Sequence, residues 1–333
     1  MSAKYRVPAF ATTILTALFL TACGSNEPPG PRESAVDAAT EPKLRTDELP
    51  ARITLNSPGL LPEGVEFDTR NNRFLVGSLS KGTIFIVERD GALKPFIEDP
   101  DLRSSVGIEV DEERNRLLVA NSDSAVFQGA PGQAKLGIYA LDSGERIAMI
   151  DLTTVGPKEA TAHFANDLTV AADGSIYVTD SRARVIYKVD PSSDLSIALP
   201  DRFGKVERHM LNGIVAHPQG YLLVAESFQG ELYKVPLDKP ESFTRVKLPE
   251  PIPGADGMVL HPNGNLIVVR NDASNSVVAL SSTDDWETAT IAARGTIDGQ
   301  GTTAAIADEA VYVVHPFFND PNAMPFIERV ELR

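Results

Sequence analysis

The sequence predicts an all-β fold, a six-bladed β-propeller with four-stranded antiparallel blades. A pattern of a small or polar pair, an apolar strand, a turn and a second apolar strand recurs six times along the chain. Internal repeats of about 40–50 residues are typical of propellers and solenoids. Helical periodicity is nearly absent over the same stretch, which argues against helical solenoids of similar repeat length.

The six copies can be aligned on one position near the start of each unit. These positions are Gly64, Gly107, Asp167, Gly213, Gly257 and Thr303, at intervals of 43, 60, 46, 44 and 46 residues. The single long interval indicates two inserted loops, over 121–136 and 153–162. Further β-rich runs in each unit, such as 83–87 and 185–189, bring the number of strands to about four, as in a propeller blade.

One domain is expected over residues 51–333. The run 51–55 precedes the first unit and could supply the outer strand of the last blade. This pairing would close the ring, so that few sheet edges remain free.

Residues 1–22 are predicted to be a bacterial lipoprotein signal peptide. Lys4 and Arg6 precede an apolar stretch that is too short to span a bilayer comfortably, which is typical of an export signal. The segment Leu20-Thr21-Ala22-Cys23 resembles the lipobox, in which the chain is cut before the cysteine and the thiol is acylated. The alternative is an ordinary signal that contains a cysteine by chance.

Cys23 is the one cysteine of the chain and therefore has no disulfide partner. Lipidation would account for its presence. Residues 23–50 are rich in Pro, Glu, Asp and Ala without periodicity, which predicts a flexible stalk. We therefore expect a protein of the bacterial cell envelope that contacts the membrane through its lipid anchor only. The periplasmic face of the outer membrane is the favoured site, with another membrane as the alternative.

The formal net charge is −15, from 31 basic and 46 acidic residues, and no run rich in Lys or Arg follows the signal. Nucleic acid is therefore not expected as a partner. The acidity favours solubility, and part of the excess could favour cations. We expect a monomer.

Repeat geometry predicts a shared metal site. The innermost strand of each propeller blade runs along the axis, so the residues at its start gather around one end of the channel. The six equivalent positions are Glu63, Val106, Asn166, Asn212, Asp256 and Thr302. Four of them, Glu63, Asn166, Asn212 and Asp256, carry the oxygen donors that calcium prefers, although another divalent cation is possible. The alternative is that Asn-Gly and Asp-Gly pairs are merely hairpin turns.

These pairs resemble those of the calcium-dependent six-bladed propeller hydrolases: senescence marker protein/gluconolactonase, diisopropylfluorophosphatase and paraoxonase, with strictosidine synthase as a relative. The resemblance runs from about Leu61 to the C-terminus. The family's ligand motifs match Glu63-Gly64, Asn166-Asp167, Asn212-Gly213 and Asp256-Gly257-Met258. Strictosidine synthase-like members lack a catalytic metal, so the intact set favours the hydrolases. Val106 stands where paraoxonase-like members carry a histidine, so the resemblance implies no role for such a residue here.

The resemblance implies a metal-dependent hydrolase of small-molecule lactones or related carboxylic or phosphoric esters. The cation would act as a Lewis acid, and Asp256 would be the catalytic residue that positions or deprotonates water, or attacks directly. A non-catalytic propeller with a structural metal and a strictosidine synthase-like protein remain alternatives.

Further pocket candidates are expected around the four donors. His163 and His209 each stand three residues before a proposed ligand and could serve as proton shuttles, ordinary loop histidines being the alternative. Asp167, Val106 and Thr302 are expected to complete the pocket. The sequence contains no His-Glu-x-x-His zinc motif, Gly-x-Ser-x-Gly elbow or phosphate-binding glycine loop.

Overall fold

The computed structural model describes residues 49–200, 210–320 and 322–333. Within these ranges β-strands form six sheets, and the helices are three short 3-10 segments, Ser124–Gln128, Leu152–Val155 and Pro240–Ser242. The prediction of an all-β, six-bladed propeller with four-stranded antiparallel blades is confirmed. No helix in these ranges has the length and apolar character needed to cross a membrane.

The strands of the described ranges follow one another along the chain from the first blade to the sixth. They are β1 (Arg52–Thr54), β2 (Val65–Asp68), β3 (Arg73–Val76), β4 (Ile84–Val87), β5 (Leu93–Ile97), β6 (Ser104–Asp111), β7 (Arg116–Ser122), β8 (Gly132–Gln133), β9 (Lys135–Ala140), β10 (Arg146–Asp151), β11 (His163–Val170), β12 (Ile176–Asp180), β13 (Val185–Val189), β14 (Leu195–Leu199), β15 (Leu211–His217), β16 (Tyr221–Glu226), β17 (Glu231–Pro236), β18 (Thr244–Arg245), β19 (Ala255–Leu260), β20 (Leu266–Arg270), β21 (Ser276–Ser281), β22 (Thr290–Thr296), β23 (Ala304–Ala307), β24 (Ala310–His315) and β25 (Phe326–Val330).

The first five blades are antiparallel meanders of strands that follow one another along the chain, and the sixth is completed by β1. The blades are β2 to β5, β6-β7-β9-β10, β11 to β14, β15 to β18, β19 to β22, and β23-β24-β25-β1. The second strand of a blade, such as β7 or β16, is buried along nearly its whole length because neighbouring blades cover both of its faces. This explains why these strands read as continuous apolar runs, RLLVANS and YLLVAE, rather than as alternating ones.

The hydrophobic core lies between adjacent blades. One buried cluster joins Leu75 and Ile84 of the first blade to Ile108 and Leu117 of the second. Because each blade is packed between two others, most of the apolar surface is shared by two sheets.

The predicted closure of the ring by the N-terminal run is confirmed. Strand β1 pairs antiparallel with β25, with Ile53 opposite Ile327, and the backbone N–H of Leu55 donates to the carbonyl of Pro325 at 2.7 Å. Ile53 and Leu55 are buried in the cluster between the last and first blades. The sixth blade therefore combines three strands from the C-terminus with one from the start of the domain.

The third blade differs from the expected four strands. Its innermost strand β11 also pairs with β8, a short parallel strand inside the predicted 121–136 insertion, so this sheet has five strands. The insertion therefore adds a strand to the inner edge of the blade instead of projecting as a loop.

The predicted signal peptide 1–22, the lipidation site Cys23 and the stalk up to residue 48 lie outside the described residues. The last two residues of the predicted stalk are described. Leu49 is buried in the cluster between the last and first blades, so the folded part extends at least to this residue.

Replacing Ile53 with Ala should weaken the closure of the ring. Ile53 is 3% exposed, and removing most of a buried aliphatic side chain lowers the free energy of unfolding by about 2–3 kcal/mol. The exposed neighbour on the same strand provides the control, since Thr54→Ala should change it by less than about 0.5 kcal/mol. Urea denaturation followed by circular dichroism measures both, and equal effects would contradict a closure held by Ile53.

Candidate functional site

The structure brings the four predicted oxygen donors to one cavity. Glu63, Asn166, Asn212 and Asp256 all line a cavity of about 630 Å³. Their side chains are 8%, 6%, 5% and 3% exposed, respectively. Residues far apart in the sequence are thus neighbours, as the alignment of the repeats predicted.

A β-bulge positions the site residue in each of blades two to five. In the third blade Ala165 pairs with Asp180 and Leu168 with Val178, so β11 has one residue more than β12 between these pairs. The same irregularity falls at 105–108, 211–214 and 255–258. A bulge redirects a side chain that regular alternation would point elsewhere. In blades three to five the proposed ligands therefore lie within the innermost strands, at the bulges, and not before the strands.

Close approach of the innermost strands explains the glycines that follow the ligands. A Cβ atom at Gly213 would lie 2.2 Å from the carbonyl oxygen of Asp256, and one at Gly64 would lie 2.4 Å from that of Val106. Real atoms cannot approach this closely, so these positions need the space of glycine. The glycines serve blade packing, and the hairpin-turn alternative does not apply.

A serine on the neighbouring strand orients the amide of Asn166. The Nδ2 group of Asn166 donates to Ser181 Oγ at 2.8 Å, and this hydroxyl donates to the carbonyl of Leu211 at 2.6 Å. A hydroxyl has a single hydrogen, so Ser181 can only accept from the amide. The NH2 group of Asn166 must therefore face the serine.

The fourth blade repeats this arrangement one position further around the ring. Asn212 Nδ2 donates to Ser227 Oγ at 3.3 Å, and Ser227 donates to the carbonyl of Ala255. Both amide oxygens, Asn166 Oδ1 and Asn212 Oδ1, are buried and accept no hydrogen bond from any described residue. Buried polar atoms without partners are rare in proteins, so these two oxygens indicate a missing partner.

The carboxylates are buried, and no described residue that lines the cavity brings a positive charge to them. Burial raises the pKa of Asp256 to about 7, although hydrogen bonds from Asn271 and Asn212 act in the opposite direction. Burial also raises the pKa of Glu63 well above its usual value, and the charges of Asp256 and Asp167 add to this effect. No Lys, Arg or His is found among the described residues that line the cavity.

This donor set fits a hard divalent cation. Calcium prefers carboxylate and amide oxygens, and two carboxylates would balance its charge. A bound cation would also reverse the raised pKa values, because an opposite charge favours the ionised form. The described residues hold no group of three or more His, Cys, Asp or Glu side chains suited to a metal. The proposed site does not depend on such a group, because two of its four donors are the amides of Asn166 and Asn212.

The remaining pocket candidates have different positions. Val106 lines the cavity beside the four donors. Thr302 is fully buried and donates its hydroxyl to the carbonyl of Glu63 at 2.8 Å, which ties the last blade to the first. The carboxylate of Asp167 accepts from the backbone N–H groups of Leu168 at 2.9 Å and Ile214 at 3.4 Å, and burial raises its pKa to about 7.

Of the two candidate histidines, the structure describes only His163, and it lies outside the central cavity. His163 lines a separate cavity of about 690 Å³ beneath the inserted loops. Its Nδ1 atom lies 2.9 Å from Asp180 Oδ2, and this hydrogen bond raises the pKa of the imidazole. His163 therefore anchors the start of β11, instead of standing at the central cavity as its spacing from Asn166 suggested. His209 lies outside the described residues.

Sequence reasoning missed the partners of the ligands. Asn271 lines the cavity and donates to Asp256 Oδ2 at 2.6 Å, and Gln300 in turn donates to Asn271 Oδ1. One signal was available in the sequence: Ser181, Ser227 and Asn271 each follow a proposed ligand by 15 residues.

Comparisons with known proteins agree with this architecture. Residues 61–294 match the family described as SMP-30/Gluconolactonase/LRE-like region. No curated protein sequence has significant similarity to the chain.

Solved structures show the same fold at low sequence identity. The major Malassezia sympodialis allergen Mala s 1 has a TM-score of 0.71 at 17% identity, covering 85% of this chain and 97% of its own. A gluconolactonase from Xanthomonas campestris has a TM-score of 0.58 at 14% identity, covering 84% and 89%. Virginiamycin B lyase from Staphylococcus aureus has a TM-score of 0.56 at 10% identity, covering 85% and 98%. At these identities the likeness shows the fold alone.

Replacing Asp256 with Asn should stabilise the cation-free domain at alkaline pH. The pKa of Asp256 in the folded state is about 7, above that of an aspartate in an unfolded chain. The neutral carboxyl therefore favours the folded state at low pH, and this stabilisation is lost as the pH rises through 7 and the buried carboxyl ionises. Asn removes the buried charge and keeps an oxygen that can accept from Asn271. In chelator at about pH 8 the variant should gain on the order of 2 kcal/mol in unfolding free energy, and at about pH 4 almost none.

Denaturation at both pH values measures this difference. The control is Asp238→Asn, because Asp238 is exposed on the surface and its replacement should leave the pH dependence unchanged. A loss of stability in Asp256→Asn at the higher pH would contradict the uncompensated charge.

Proposed function

Since the chain belongs to the SMP-30/gluconolactonase/LRE-like family, we propose that it is a calcium-dependent hydrolase of lactones or related carboxylic or phosphoric esters. One observation carries the proposal. Two carboxylates and two amide oxygens without hydrogen-bond partners, each from a different blade, converge on one cavity.

The openness of the site favours a catalytic ion over a purely structural one. A structural ion would be fully wrapped by protein, whereas these four donors line a cavity of about 630 Å³. This volume lies within the range of about 300–1,000 Å³ typical of small-molecule sites. A substrate can therefore reach the oxygen donors.

Each ligand has a defined role in the proposed mechanism. Glu63, Asn166, Asn212 and Asp256 would hold the ion, which when bound supplies a Lewis acid for a substrate carbonyl or phosphoryl oxygen. Asp256 would accept the proton of the attacking water or attack the substrate itself.

Hydrogen bonds position the carboxylate of Asp256 for this task. Gln300 donates to the amide oxygen of Asn271, which leaves the NH2 group of Asn271 to face Asp256. Asn271 thereby orients the carboxylate and favours its ionised form.

An assay of the lipid-free domain tests the proposal. We expect turnover of at least one member of a panel of lactones, aryl esters and phosphotriesters, lost in chelator and restored by calcium. Asp256→Asn should lower turnover by about 10²–10⁴-fold, whereas Asp238→Asn should retain it. Calcium binding without turnover of any panel member would instead indicate the non-catalytic propeller.

The serine bridges provide a second test, of the metal site alone. Ser181→Ala and Ser227→Ala free the NH2 groups of Asn166 and Asn212 to rotate into the site, so each should lower calcium affinity by about 10–100-fold. Isothermal titration calorimetry measures the affinity.

Ser122→Ala is the matched control. Ser122 makes the same bridge to the next blade, donating to the carbonyl of Ala165 at 2.8 Å, but the site position of its own blade is Val106. The control should therefore bind calcium as the wild type does. Equal losses of calcium affinity in all three variants would show that the serines act only in packing.

A further inference from the structure

Part of the lining of the central cavity is a group of apolar side chains from three neighbouring blades. These are Leu79 of the first blade, Val106 and Phe127 of the second and Phe164 of the third. We call these four residues the apolar wall. Val106 occupies the second of the six equivalent positions, between Glu63 and Asn166, so the wall begins directly beside the oxygen donors.

The apolar wall is a continuous packed surface. Leu79 packs against the buried cluster that contains Val106 and Phe164. The ring of Phe127 meets that of Phe164 edge-on, with 5.0 Å between the ring centroids. Phe127 comes from the 3-10 helix of the inserted loop, so the insertion extends the wall upwards from the floor of the cavity.

Phe127 is exposed, and the guanidinium of Arg182 lies over its ring, 5.3 Å from the centroid. Its side chain is 60% exposed, which makes it the most exposed large hydrophobic residue in the described part of the chain. Two exposed polar residues, Gln128 and Asn319, also line the cavity. An apolar interior with a polar rim is the arrangement found at sites for largely apolar ligands.

The wall discriminates between substrate classes. Hydroxyl groups of a sugar lactone would lose hydrogen bonds to water against Leu, Val and Phe side chains, which is unfavourable. A hydrocarbon substituent would gain from burial there.

Resting on the proposed function, we infer that the substrate is a lactone or ester with an alkyl or aryl substituent that lies on the apolar wall. The reactive carbonyl would face the oxygen donors, and the substituent would extend from Val106 towards Phe127. Polyhydroxylated lactones would be poor substrates.

A homologous series of γ-lactones tests this inference. With methyl, propyl, pentyl and heptyl substituents, kcat/KM should rise about fourfold per buried methylene until the wall is covered, and glucono-δ-lactone should be turned over more slowly than the longer members. In Phe127→Ser the increase of kcat/KM with substituent length should be smaller. The control Phe228→Ser removes another exposed phenylalanine, 49% exposed and not part of the cavity lining, and should preserve it.

Failure of this inference can be distinguished from failure of the proposed function. If glucono-δ-lactone is the preferred substrate, or if kcat/KM does not depend on chain length in the series, the inferred substrate class is wrong. The proposed hydrolase activity would still be supported. If no lactone is turned over, binding of the corresponding alkyl γ-lactams, measured by calorimetry with calcium present, decides. Affinity that rises with chain length and falls in Phe127→Ser supports the apolar wall as a binding surface, and affinity independent of both overturns it.

Discussion

The innermost strands of neighbouring blades approach one another too closely for a Cβ atom at several positions, and much of the site depends on this contact. At Gly213 the obstacle would be the carbonyl oxygen of Asp256, itself a proposed ligand of the next blade. The glycine and the ligand that precedes it therefore have separate tasks. The glycine lets two strands meet, and the bulge directs the preceding side chain to the shared cavity.

The same contact accounts for the electrostatics of the site. Strands that meet this closely bring Glu63, Asp167 and Asp256 near one another, and burial raises the pKa of each. Without a cation the domain carries a cost in stability at neutral pH. Sites that sacrifice stability in this way are commonly functional ones, because the charge that is unfavourable for folding is useful for binding.

The sequence was sufficient for the fold because propeller blades are local units. The spacing of six equivalent positions predicted the number of blades and aligned the four donors; these positions are Gly64, Gly107, Asp167, Gly213, Gly257 and Thr303. The bulges were not predictable in the same way, since they depend on the exact pairing of two strands within a blade. The serine bridges depend on contacts between blades, and only the 15-residue spacing of the serines indicated them. His163 shows the limit: its distance in sequence from Asn166 suggested the central cavity, yet its hydrogen bond to Asp180 holds it in another.

The six equivalent positions differ in chemistry around the ring, and this asymmetry is the basis of the two functions that we propose for the cavity. Four positions present oxygen atoms, Thr302 uses its hydroxyl to close the ring, and Val106 presents a hydrocarbon surface. A polar residue at position 106 would extend the donor set into the second blade, whereas valine joins the donors to Leu79, Phe164 and Phe127. In the proposed function, the identity of this one residue therefore sets where the cation site ends and the substrate surface begins.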